Sequence, residues 1–70
     1  MDQLAATMQE QLAAHPHTRC VRGLAVEVNK EEEELVLKGR SPDYYRKQLA
    51  QHFAMQIAGG VKIKNLIEVG

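Results

Sequence analysis

Seventy residues, 44% apolar and 26% charged, make one small domain at most and set the chain apart from disordered proteins. Nine basic and nine acidic side chains cancel, which removes the global positive field that draws proteins to nucleic acid or anionic membranes. A single cysteine, Cys20, excludes a disulfide-stapled scaffold, and no apolar run approaches the ~20 residues that span a bilayer.

Residues 2–14 read as a helix. Leu4, Met8 and Leu12 recur every fourth position with Ala5 beside them, while Gln3, Gln9, Glu10 and Gln11 fall elsewhere. Asp2 is placed to cap the first turn, and Pro16 ends the helix by pushing His15 out of helical geometry. His15-Pro16-His17-Thr18 is then a connector, and Cys20 is expected as a small half-buried residue entering a strand.

From 21 to 29 the apolar period becomes two. Leu24, Val26 and Val28 alternate with Ala25, Glu27 and Asn29, the pattern of a half-buried strand. Asn29-Lys30-Glu31-Glu32-Glu33 has the polarity of a hairpin loop. A second strand follows over 34–40, with Leu35, Leu37 and Gly39 on one face and Val36, Lys38 and Arg40 on the other. Ser41-Pro42-Asp43 opens a helix over 42–58, with the Ser41 hydroxyl as cap and Pro42 at the first helical position. Tyr45, Leu49, Phe53 and Ile57 form its expected core stripe, flanked by Ala50, Ala54 and Ala58. Gly59-Gly60 stops this helix, and 61–69 alternates again as a third strand.

These elements predict a single α+β domain spanning 1–70. It is a two-layer α/β sandwich of order α-β-β-α-β, with both helices on one face of a three-stranded mixed sheet. Strands one and two pair as an antiparallel hairpin, and strands two and three run parallel through a right-handed crossover. Asn65 points inward with Ile63 and Ile67, so its amide needs partners; backbone near the hairpin or Gly39 is expected to supply them.

The stretch from Gly23 to Val69 resembles the BON domain, a small module named for bacterial osmotically inducible and nodulation proteins. The likeness rests on Leu35-Val36-Leu37-Lys38-Gly39, an apolar pair leading to a glycine, and on the alanine-rich helix from Tyr45 to Ala58. It continues through Gly59, Ile63, Asn65, Ile67 and Val69 at the family's spacing. Gly60 stands where the family carries a buried valine, and Val61 is the side chain available to replace it. The resemblance implies a non-enzymatic module that attaches to phospholipid surfaces or other envelope components, usually within exported proteins. It carries over Gly39, Gly59 and Asn65 as fold residues and no ligand-binding residue.

No residues form a catalytic or metal-binding pattern. His15, His17 and Cys20 are close in sequence, but zinc takes about four ligands, and His52, the remaining imidazole, sits on a helix. Cys20 has no base with an orienting third group. Glu31 to Glu34 lack the spaced ligands and turn glycine of a hard-cation loop and read as a solvated hairpin tip. Tyr44-Tyr45-Arg46-Lys47 combines rings with cations as RNA binders do, but Tyr45 is assigned to the core and no Gly-x-x-Gly clamp joins two helices. Enzyme activity and cofactors are therefore not expected, and nucleic acid is disfavoured.

The uncovered sheet face is the expected site of function. Val36, Lys38 and Arg40 come to it from the second strand, Lys62, Lys64 and Leu66 from the third, and Ala25 and Glu27 from the first. Aliphatic residues on an open sheet with unpaired edges favour a homo-oligomer or a protein partner. The cations offer an alternative, attachment to anionic lipid headgroups at roughly 1 kcal/mol each. Met1-Asp2-Gln3 begins no basic and apolar leader pattern, so the cytoplasm is the default compartment. Envelope association follows if these residues are a segment of a longer exported protein.

Overall fold

A computed structural model describes all 70 residues. Helix α1 (Asp2–Ala14) is followed by strands β1 (Arg22–Asn29) and β2 (Glu34–Ser41), helix α2 (Tyr44–Ala58), and strands β3 (Lys62–Asn65) and β4 (Glu68–Val69). The fold is α+β, of order α-β-β-α-β, with a mixed sheet. Strand β2 is central: β1 pairs with it antiparallel, and β3 and β4 pair with its other side, both parallel. The expected third strand is thus two segments in one lane, separated by Leu66 and Ile67, and the sheet counts four strands where three were expected.

The core forms where the helices meet the sheet. Met8 and Leu12 from α1, Leu35 and Leu37 from β2, and Ile67 are fully buried, and Val21, Val26 and the alanines of α2 join them. Burial of such aliphatic side chains contributes about 1.5–3 kcal/mol each. Val61 packs against this cluster while Gly60 is exposed, so Val61 takes the inward place.

Helix α2 departs from the expected stripe. Ala50, Ala54 and Ala58 face the core, Leu49, Phe53 and Ile57 are half-buried, and Tyr45 is 60% exposed. A strict interval of four drifts by about 40° per step on a helix of 3.6 residues per turn. The larger side chains therefore wind from solvent toward α1, and the alanines let the helix lie close to the sheet.

The helix starts also differ from expectation. Ser41 is committed to the β2 ladder opposite Val69, so α2 begins at Tyr44 and not at 42. Asp43 is its cap, accepting the Arg46 N–H at 2.7 Å. The Ser41 hydroxyl is buried and donates to the Asp43 carbonyl at 2.6 Å. In α1 the cap is Met1, and Asp2 lies inside the first turn, where its charge faces the positive end of the helix dipole.

The turn after α1 is fastened by Thr18, which is fully buried and donates its hydroxyl to the Leu12 carbonyl at 2.6 Å. Cys20 is exposed and not half-buried, because this turn directs it outward before β1 begins. A bulge separates Arg22 from Ala25 in β1, and Gly39 of β2 lies against it. A Cβ on Gly39 would stand 2.9 Å from the Arg22 carbonyl oxygen, and its φ of 146° suits glycine alone. Gly59 ends α2 with a φ of 70° and donates its N–H to the Met55 carbonyl.

Candidate interaction face

Strand β2 sets the open face through its pleat. Leu35 and Leu37 lie beneath the helices, so Glu34, Val36, Lys38 and Arg40 point to the opposite side. Register places Asn29, Glu27 and Ala25 of β1 beside Glu34, Val36 and Lys38. On the other flank, Lys62 and Lys64 of β3 stand beside Glu34 and Val36, and Glu68 of β4 stands beside Arg40. Leu66, just past β3, is 46% exposed and lines the same concavity.

This face holds a shallow, open depression of about 630 Å³. Glu34 and Val36 form its floor at 7% and 8% exposure, because longer side chains rise on both flanks of the central strand. Glu27, Lys38, Lys64 and Leu66 are among its walls. Val36 therefore offers less apolar surface than the strand pattern suggested.

The charges of the face are largely answered within it. Lys38 Nζ lies 3.1 Å from Glu27 Oε1, and Arg40 Nη2 lies 3.1 Å from Glu68 Oε2. Lys62, Lys64 and Glu34 form no ion pair. Exposed pairs of this kind contribute at most about 1 kcal/mol each to stability, but they change the field of the surface. Glu27 and Glu68 pair two of the four cations named from the sequence, and Glu34 stands beside Lys62 without an ion pair.

Two of those carboxylates were missed by the sequence reading. The four-glutamate run hid Glu34, although stepping back two at a time from Lys38 places it on the open face. It begins β2, as the expected strand over 34–40 places it, but it is largely covered where a solvated glutamate run was expected. Alternation set Glu68 on the side of Lys62 and Lys64, but it was left out of the expected face.

Both sheet edges are short, and each is capped at or near one point. On β1 the outward N–H of Val26 donates to Gln9 Oε1 of α1 at 3.0 Å, and the bulge at Arg22 shortens the regular stretch. Strand β3 has four residues, and just beyond it the N–H of Ile67 donates to Asn65 Oδ1 at 3.1 Å. Short, bulged or capped edges are poor templates for another strand.

Asn65 anchors this lane to the helix. Its Nδ2 donates to the Lys47 carbonyl at 3.0 Å and to Gln51 Oε1 at 3.3 Å. Those partners belong to α2 and not to the hairpin or Gly39, because the parallel crossover lays β3 under that helix.

The histidines gather around Phe53. The His15 ring lies 4.1 Å from it and the His52 ring 5.4 Å, while His17 is 5.5 Å from His15. His15 Nδ1 accepts the His17 N–H, and no three metal-ligating side chains converge. Tyr44 and Tyr45 are both exposed, against the expectation that Tyr45 is core, and the Arg46 guanidinium lies 5.6 Å from the Tyr45 ring. No helix is long and apolar enough to cross a membrane.

The family model of the BON domain matches residues 2–70, so the likeness seen from Gly23 onward extends through α1. No curated protein and no solved structure matches the chain. The chain belongs to the BON domain family, a family of non-catalytic binding domains known for binding phospholipids or proteins.

Proposed function

We propose that this BON domain is a non-catalytic interaction module that docks a protein surface on the open face of its sheet, self-association being its principal form. The pairing of charges on that face carries the reading. Lys38 and Arg40 are held by Glu27 and Glu68, so an anionic surface would meet mainly Lys62 and Lys64. Two lysines contribute roughly 1 kcal/mol each near such a membrane, too little for attachment without a second anchor.

A concave patch with an apolar point at its floor and a polar rim has the anatomy of a protein interface. The short, bulged or locally capped edges favour the face over strand-to-strand addition. The small area available favours weak association, micromolar or weaker.

Sedimentation velocity across micromolar to millimolar concentration tests the reading. The weight-average mass should rise with concentration, and Leu66→Glu, a change at an exposed position, should hold the protein as a monomer. A wild-type chain that stays monomeric throughout would overturn the reading. In co-sedimentation with vesicles, anionic and neutral lipid should retain the protein equally, and a strong preference for anionic vesicles at low salt would favour the lipid reading instead.

A further inference from the structure

Glu34 is 7% exposed as a whole residue, its carboxylate oxygens still reach water, and neither ion pair of the molecule involves it. It lines an open hollow of the sheet face, with Lys62 of β3 beside it in register. On the wall of the same hollow, one strand away, Lys64 is exposed and also without an ion pair.

The arrangement of charges around Val36 is self-complementary. Across the sheet, Val36 has Glu27 on β1 to one side and Lys64 on β3 to the other. Along its own strand it has Glu34 before it and Lys38 after it. One diagonal, running from Lys62 through Val36 to Ala25, therefore separates Glu27 and Glu34 from Lys38 and Lys64, with the exposed Lys62 on the line itself. A two-fold axis lying in the interface along that diagonal sets the acidic corner of one copy on the basic corner of another. Glu34 then meets Lys64 and Glu27 meets Lys38, each contact occurring twice, as a two-fold interface requires. The strands of the two copies cross near a right angle, one of the two ways in which sheets stack.

Resting on the reading that the open face self-associates, we propose that the ligand of the hollow is a second copy of this chain, Glu34 of each copy receiving Lys64 of the other. The contact closes as a dimer and leaves no second face for growth. It weakens as salt rises, because both groups are charged.

A charge swap tests the pairing by sedimentation. Lys64→Glu alone and Glu34→Lys alone should each lose self-association by about tenfold or more, since each places like charges together. Mixed in equal amounts they should associate again, because each variant then presents what the other lacks. A mixture that stays monomeric, or single variants that associate like the wild type, overturns the pairing. Either result leaves the docking face standing, since Leu66→Glu tests that separately. Circular dichroism checks that Glu34→Lys folds. If it does not, Glu34→Gln replaces it and should weaken association by about tenfold; unchanged association of that variant overturns the pairing as well.

Discussion

Three side chains fasten the fold at single points. Thr18 satisfies the Leu12 carbonyl from a fully buried position, and replacing it with valine removes the bond while leaving that carbonyl without its partner. Thr18→Val should cost about 1–3 kcal/mol, read from urea denaturation midpoints. Gly39→Ala should cost a similar amount, about 1–3 kcal/mol, because the φ of 146° and the Arg22 carbonyl both oppose a Cβ. The glycine was legible in the sequence, since it interrupts an otherwise alternating strand at a family position. Thr18 was not. Its acceptor lies six residues back along a non-repeating turn, and no apolar rhythm reports such a turn. Asn65 lies between these cases: its inward direction followed from alternation with Ile63 and Ile67. Its partners on α2 depended on how the crossover lies over β3.

The elements themselves were written in the changes of period. Alternation over 21–29 and 34–40 and the four-residue recurrence in 2–14 correspond to β1, β2 and α1. Helix α2 was placed with its buried side shifted: Phe53 and Ile57 do pack on the core, but the flanking alanines are its centre and Tyr45 lies outside it, because close packing on a sheet favours the smallest side chain. Ala54→Leu tests that orientation. At a fully buried site it should destabilise by about 1–3 kcal/mol through overpacking, whereas an outward Ala54 would tolerate leucine. The edges were illegible for another reason, since Gln9 reads as one more exposed residue of α1 until its amide is seen on Val26. Gln9→Ala should speed hydrogen exchange at the Val26 amide while leaving the amides of β2 unchanged; equal rates at Val26 would show that Gln9 does not guard that edge.

At the scale of the whole molecule, the proposed docking surface is one that alternation located and packing reshaped. The face of Val36, Lys38 and Lys64 followed from the period of two. Its concavity and internal charge balance did not, because they arise from Glu34 beginning β2 and from Glu68 rejoining it after the break. A weak interface of this kind should respond to salt, losing affinity between low and physiological ionic strength as the Debye length falls. The most direct test is a dilution series of backbone amide spectra. Shifts that change with protein concentration should concentrate on β2 and β3 around Val36 and Lys64 and on Leu66, and should vanish in Leu66→Glu. Changes confined to α1 and α2, or none up to millimolar concentration, would contradict docking through the open face.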